Sequence, residues 1–432
     1  MYFNEGSPYR NLIVGANTKV PLKNGSYSKY INFDNAATTP PFRSVLSDIN
    51  AFSPWYSSIH RGMGFKSKFS SNFYDYSRYE VLNFVNADLE KDTVIYLKNA
   101  TEAINKLSNR LSIKDSDNII LSTSMEHHSN DLPWRKYKVD YIELDKYGRL
   151  SLTNLKEKLN FYKDKVRLVT ITGASNVTGY KNKIHEIASL VHSYKSKLLV
   201  DGAQLIPHCP FNMKPKNTKE HIDYLVFSSH KMYAPFGIGV LIGPKKTFKE
   251  GSPDYVGGGT VDLVTKDSVI WNDPPQKDEA GTPNIMGVVA LVSAIKTLKQ
   301  VGMINIANYE KKLTDYTLEK LKKLPDIKLY CHTNKTEDKV SIIPFNIEGI
   351  HHAQVAKELS DDYAIALRNG CFCAQPYIQN LLKISKDDIY EYKDTFIKRP
   401  GMVRISFGMY NDINEIDFLI ESLKKIIKNK TN

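Results

Sequence analysis

Cysteine is scarce in this chain: four residues in 432, at Cys209, Cys331, Cys371 and Cys373. So few thiols cannot staple a chain of this length into a disulfide framework. The Cys371-Phe372-Cys373 pair has no second ligand pair at zinc-finger spacing, so no metal site is expected. Long apolar runs are missing too; none approaches the roughly 18 residues of a membrane span, and no membrane contact is expected. The opening segment mixes Asn, Gly, Ser, Tyr and Lys without the apolar stretch of a signal peptide, which sets the expectation of a cytoplasmic protein. There is no arginine-rich stripe with interleaved aromatics. The formal charge of +12 and pI near 9.1 come from lysines scattered among Asp and Glu. That pattern reads as solvated surface, and no nucleic-acid binding is expected. No internal repeat or low-complexity linker interrupts the chain.

What is present is a globular composition, 41% hydrophobic and 25% charged. A single core stops growing beyond roughly 250–300 residues, so two domains are expected. From about residue 90 the chain alternates strand and helix. "DTVIYL" reads as a strand and "NATEAINKLSNRL" as a helix with Ile104, Leu107 and Leu111 on one face. "NIILSTS", "VRLVTITG", "KLLVDGAQ" and "YLVFSSHK" read as further strands, and "IHEIASLVHSYK" as a helix. These are continuous Val, Ile and Leu runs, the mark of a parallel sheet covered on both faces. Ligands in such sheets bind at the carboxyl ends of the strands. A second region follows "AGTPN" at 280–284: "MGVVALVSAIKTLKQVG" as a long connecting helix, "KVSIIPFNI" and "MVRISFGMY" as strands, "HAQVAKELS" as a helix. The last helix carries Ile416, Leu419, Ile420, Leu423, Ile426 and Ile427 on one face, with Asn411 or Asp412 as its cap. The expected division is an N-terminal arm, 1–30, a large domain, 31–296, and a small C-terminal domain, 297–432.

One residue resists this pattern. Lys231 lies between two apolar, β-prone runs, Tyr224 to Phe227 and Ile238 to Ile242. A charged amine buried without a partner costs several kcal/mol, so such a group neutralises or is used covalently. A surface lysine on a strand-to-strand loop is the plain alternative. The other strand-end residues bear on the choice. Lys231 can condense with an aldehyde, Asp201 can pair with a pyridinium nitrogen, and the helix start Asn99 to Glu102 can receive a phosphate. Ser228 and His230 flank Lys231 and can donate to that phosphate; His127 can stack on a ring. Singly, Asp201 could be a helix cap, Thr101 a surface residue and His127 a loop histidine. Together, in this order, they describe a pyridoxal 5'-phosphate site.

At this point the sequence resembles a known family. "FDNAATT" (33–39), "NATEAIN", "MEHHSN", "SNVTG" (175–179), "VDGAQ", "SSHKMYAPFGIG", "AGTPN" and "RNGCFCAQP" stand in the order seen in class V aminotransferases. The branch it is most similar to is the cysteine desulfurase and selenocysteine lyase group of the sulfur-mobilisation type, and the likeness runs over roughly residues 30 to 425. The resemblance implies an α/β fold of the fold type I, aspartate-aminotransferase-like class of pyridoxal-phosphate-dependent transferases: a large, mostly parallel-sheet domain and a smaller C-terminal α/β domain. It implies that Lys231 is the cofactor lysine, that Asp201 pairs with the pyridine nitrogen, that Gln204 contacts the phenolic oxygen, and that His127 stacks on the ring and serves in proton transfer. Ala100, Thr101, Ser228 and His230 would lie at the phosphate, with Thr282 reaching it from the other subunit of a homodimer. Asn176, Arg368 and Arg404 would hold the carboxylate of an amino-acid substrate, L-cysteine. The Arg-x-Gly-x-x-Cys-Ala register gives Arg368, Gly370 and Cys373, and makes Cys373 the thiolate that takes the substrate sulfur as a persulfide, releasing L-alanine, with a sulfur-acceptor protein as a further partner. Cys371 departs from the pattern, where histidine is common; it reads as a small buried hydrophobe. Three readings stay open here: the desulfurase, with or without selenocysteine lyase activity; another class V enzyme, whether aminotransferase, epimerase or carbon–sulfur lyase; and an inactive cofactor-binding scaffold.

Overall fold

The computed structural model describes residues 6–111, 118–214, 218–331, 336–385, 387–388 and 399–430. Three short strands open it, β1 (Lys19–Pro21), β2 (Tyr27–Lys29) and β3 (Ile31–Asn32). The main sheet follows: β4 (Asp92–Leu97), β5 (Ile119–Thr123), β6 (Lys138–Ile142), β7 (Val166–Thr172), β8 (Lys197–Asp201), β9 (Tyr224–Ser228) and β10 (Gly239–Pro244). Their spatial order is β4, β10, β9, β8, β7, β5, β6. Strands β5 to β9 are parallel neighbours, whereas β10 runs antiparallel to both β9 and β4. The sheet is therefore mostly parallel. Every residue of β5 and β9 is buried, as strands covered on both faces require.

The antiparallel step decides where the chemistry sits. Because β9 and β10 are adjacent and opposed, a short connection over the carboxyl end of β9 joins them, and Lys231 falls in its first turn, Ser229–Lys231. Gly239 starts β10 where no side chain fits: a Cβ there would stand 2.3 Å from the Asn99 carbonyl carbon. That close approach seats the start of the helix Ala100–Leu111 against the same sheet end.

A hairpin, β11 (Val261–Val264) and β12 (Val269–Trp271), precedes the buried helix Ile285–Val301. This helix does not run on: Gly302, at φ 87°, turns the chain by 76° into a second helix, Met303–Leu321. Among the described residues no single helix is long and apolar enough to cross a membrane. The second sheet has the order β13 (Ile327–Leu329), β14 (Ile342–Ile347), β17 (Met402–Ser406), β16 (Arg368–Gly370), all antiparallel. Strand β15 (Ile365–Ala366) pairs instead with β3, tying the amino-terminal segment to this sheet. Its core gathers Phe33, Phe345, Val403, Ile405 and Phe407 with the apolar face of the last helix, Ile413–Lys430. Asp412 caps that helix, its Oδ1 accepting from the Glu415 amide at 3.0 Å.

Candidate active site

The two sheets meet at a cleft of about 300 Å³, at the low end for small-molecule sites. Twelve of the residues singled out by sequence line it together: Ala100, Thr101, His127, Asn176, Asp201, Gln204, Ser228, His230, Lys231, Arg368, Cys373 and Arg404. Thr282 stands apart from this cleft and is exposed.

Lys231 forms the floor. The His230 carbonyl before it accepts from the hydroxyls of Thr38 and Thr39, both at 3.1 Å, and from the Thr39 amide at 2.9 Å, so the "FDNAATT" segment clamps the lysine turn. Part of the Lys231 side chain opens to the cleft, yet its surroundings push the amine down to about 8: burial does most, Arg404 adds to it, and Asp201 and Cys373 pull the other way. Asp201 ends β8 fully inside. Burial raises its carboxyl, while the Ala203 amide at 3.0 Å and Lys231 favour the charged form. His127 is pushed down to about 3, by burial first and then by Lys231, His128 and Arg404, so its ring is neutral. The Ser129 amide donates to His127 Nδ1 at 3.1 Å, which leaves the ring proton on Nε2. His230 is lowered to about 4, by burial and then Lys231.

An anion cup adjoins this floor. The helix Ala100–Leu111 points its amino end at the cleft. Ser228 Oγ accepts from the Ala100 amide at 2.8 Å, and the hydroxyls of Thr101 and Ser129 pair at 2.7 Å. Hydroxyls, a histidine and a twelve-residue helix's amino end suit a phosphate. Gln204 donates to the Ala36 carbonyl at 2.6 Å, while its Oε1 is buried with no hydrogen-bond partner among the described residues. A depressed lysine, an enclosed carboxylate, a neutral imidazole and this cup together fit pyridoxal phosphate.

At the other end lie two guanidinium groups. Arg368 on β16 and Arg404 on β17 are cross-strand partners, which brings them to one place. Asp34 bridges them, Oδ2 at 2.9 Å from Arg368 Nη2 and Oδ1 at 3.1 Å from Arg404 Nη2. Two cations against one anion leave a net positive charge, matched to a single carboxylate. Burial lowers the Arg404 guanidinium to about 10 against the pull of Asp34. Arg404 Nη1 donates to the Asn176 carbonyl at 2.9 Å, and its guanidinium lies 4.9 Å from the Phe372 ring centre.

The cysteine segment is a tight turn. The Ala374 amide donates to the Cys371 carbonyl at 2.9 Å, and Phe372 and Cys373 have φ of 52° and 55°. Cys373 is exposed toward the cleft; Cys371 is half-buried against Phe372, Tyr377, Ile378 and Met402. Asn176 Nδ2 donates to the Phe372 carbonyl at 2.7 Å, so this side chain ties the turn to the cleft wall.

Asp34, Ser129 and Phe372 belong to the site without having been singled out. Asp34 sits inside a quoted motif, but its partners are 334 and 370 residues away and no spacing relates them. Glu126 was missed too. It is buried beside Asp201 and raised to about 8, by burial above all, against hydrogen bonds from Thr123 and Asn130 at 2.6 Å.

Away from the cleft, His192, His221 and Asp223 come together. His192 Nε2 is 2.7 Å from Asp223 Oδ2, and both Nδ1 atoms face backbone carbonyls, Lys219 and Thr218, at 2.6 Å. The two rings stack at 4.1 Å and 12°, so their in-plane lone pairs run side by side rather than converging on a point. This is the geometry of a hydrogen-bonded cluster. Burial favours a neutral Asp223, but hydrogen bonds with His192, His221 and the Leu198 amide hold its carboxyl far below the usual range.

Comparison with known proteins agrees with this architecture. A cysteine desulfurase of Wigglesworthia glossinidia brevipalpis is 37% identical over 413 residues, 93% of each chain. A solved cysteine desulfurase from Thermococcus onnurineus, in its apo form, superposes with a TM-score of 0.82 at 30% identity, covering 93% of this chain and 95% of that one. A cysteine desulfurase from Escherichia coli, solved with an S-sulfonic acid, gives 0.78 at 28% identity with the same coverage. The mixed seven-stranded sheet with its helices is the α/β fold type I architecture of pyridoxal-phosphate-dependent enzymes. The model of the aminotransferase class-V family matches residues 31–419, the stretch that builds both sheets and the cleft between them, and the chain belongs to that family.

Proposed function

We propose that this protein is a pyridoxal-phosphate-dependent cysteine desulfurase that converts L-cysteine to L-alanine and receives the sulfur on Cys373 as a persulfide. The observation that carries the reading is the placement of an exposed thiol, Cys373, on the same cleft as Lys231 and the Arg368–Arg404 pair. Relatives named cysteine desulfurase support it. Lys231, Asp201, Gln204 and His127 would hold the ring of the cofactor; Ala100, Thr101, Ser228 and His230 would hold its phosphate. Bound there, pyridoxal phosphate supplies an electrophilic carbon for the substrate amine and an electron sink conjugated to the substrate Cα.

The chain's own residues do the rest. Arg368 and Arg404 orient the substrate carboxylate, with Asn176 beside them. Lys231 has an amine near 8, which suits it to take a proton from Cα and return one. Neutral His127 offers its Nε2 proton over the site. The Cys373 thiolate attacks the substrate sulfur; the new S–S bond forms as the Cβ–S bond breaks, and Cβ gains a proton to give alanine. Purified protein loaded with pyridoxal phosphate and given L-cysteine plus a reductant is expected to release sulfide and alanine in equal amounts. Turnover of a different amino acid with no sulfide would replace this reading with another class V activity; no turnover of any amino acid would favour a scaffold.

We propose further that the working unit is a cytoplasmic homodimer that passes sulfur to an acceptor protein, with residues 31–296 carrying the cofactor and 297–432 the cysteine turn. Support for the dimer is the exposed apolar stretch before Thr282, in which Tyr255, Val256, Leu263, Val264 and Ile270 all exceed 50% exposure. Thr282→Ala is expected to speed cofactor loss on dialysis while leaving the melting temperature of the apo protein within about 2 °C, an exposed-site change. A monomer in sedimentation that holds cofactor tightly would contradict the dimer.

A further inference from the structure

We infer that His128 is a positioning residue that pins the Cys373 turn in the cleft, and that only its neutral imidazole does so. The inference rests on the desulfurase reading above. His128 follows His127 directly and opens the short turn His128–Asn130. Its backbone amide donates to the Cys373 carbonyl at 2.7 Å, and its ring Nε2 accepts from the Gln375 amide at 3.1 Å. The two contacts hold the Cys373 carbonyl and the amide two residues on, on either side of Ala374. Gln375 is the first residue of the helix Gln375–Leu382, and the residue before it, Ala374, has no side chain that can cap. The imidazole supplies the missing acceptor from outside the helix.

A ring nitrogen that accepts carries no proton, so this contact places the ring proton of His128 on Nδ1. Protonation would turn the acceptor into a donor aimed at another donor. It would also set a positive charge against the positive end of a helix. The charged and titratable groups around the ring are Asp131 and Arg135 on the following turns, His127 before it, and Cys373 on the turn opposite. Asp131 would favour the cation, but it already accepts from Arg135 at 2.6 and 3.0 Å and from the Tyr141 hydroxyl at 2.8 Å. Burial lowers the ionisation of His128 and Arg135 lowers it further, so the neutral form prevails. Adjacent residues thus face the two halves of the reaction, His127 the cofactor side and His128 the sulfur-accepting turn.

The test uses the cofactor-loaded enzyme with His128→Leu, which removes the acceptor, and His128→Gln, whose amide oxygen can accept but cannot titrate. Three quantities are measured from pH 5.5 to 9: kcat and KM for cysteine, and the rate of Cys373 alkylation by iodoacetamide, read by mass spectrometry. His128→Leu is expected to lower kcat about tenfold with KM nearly unchanged, and to speed alkylation of the loosened turn, the effect of losing one orienting contact. His128→Gln should recover most of kcat and flatten its acid limb. Wild-type kcat and alkylation in His128→Leu would overturn the positioning role. An acid limb in His128→Gln equal to that of wild type would overturn the neutral-imidazole requirement. The alkylation comparison decides the tether even if wild-type enzyme releases no sulfide from cysteine, an outcome that would fall on the desulfurase reading instead.

Discussion

Cys373→Ala is expected to abolish sulfide release from L-cysteine while the cofactor stays bound. The reaction needs one reachable thiolate, and the other three cysteines cannot supply it. Cys209 is pushed up to about 11 by burial and lies outside the cleft. Cys331 is also outside, and Cys371 is half-buried in an apolar cluster two residues away. The groups proposed to bind cofactor and substrate are left in place: Lys231, Asp201, the helix start at Ala100, and the Arg368–Arg404 pair. A change of the visible spectrum on adding cysteine should therefore persist without turnover. Cys371→Ala is expected to keep most of the activity, because its side chain packs rather than lines the cleft. An active Cys373→Ala enzyme alongside a dead Cys371→Ala enzyme would move the sulfur-accepting role to Cys371.

Much of this site was legible because buried strands announce their ends. Apolar runs such as "KLLVD" and "YLVFS" stop at polar residues, and in a parallel sheet those stops are where ligands gather. Asp201, Ser228 and Lys231 were found that way. Less was visible where pairing, not composition, sets the geometry. The reversed direction of β10 leaves no mark in its own residues, which are as apolar as those of its parallel neighbours. Edge strand β6 buries only Ile142 fully, so its sequence lacks a continuous apolar run. The helix read from "MGVVALVSAIKTLKQVG" ends at Gly302 as read, but the second helix that follows, Met303–Leu321, was not read, because its buried positions are spaced among Asn, Lys, Glu and Asp. The turn at Phe372 and Cys373 has positive φ at two residues that give no local signal for it, and it is held instead by Asn176 and His128 from distant segments. Asp34 meets its two arginines only because β16 and β17 pair in the register that sets Arg368 opposite Arg404.

Lys231→Ala is expected to be the most damaging substitution at the cofactor end. Wild-type protein loaded with pyridoxal phosphate should stay yellow through dialysis, and borohydride should fix the chromophore to the chain. The variant should do neither, and its kcat should fall by about 10³-fold, within the range for losing a positioned acid–base group. Small primary amines added to the variant should restore part of the turnover, because the missing function is an amine near Cα. The same lysine also sets a pH dependence of the apo fold. Its amine is held at about 8, below the ordinary lysine value, chiefly by burial. Between that pH and the usual range of lysine, the unfolded chain binds more protons than the folded one, so stability rises with pH across this window. Below the window the folded site bears the cost of its buried amine. Alanine has no such group, so the alkaline rise should be missing from Lys231→Ala apo protein, whose stability below pH 8 should equal or exceed that of wild type. Chemical denaturation of both apo proteins at pH 7 and pH 10 checks the sign. A wild-type protein that takes up no cofactor, or a Lys231→Ala enzyme that turns over like wild type, would end the assignment of Lys231 as the group that holds the cofactor.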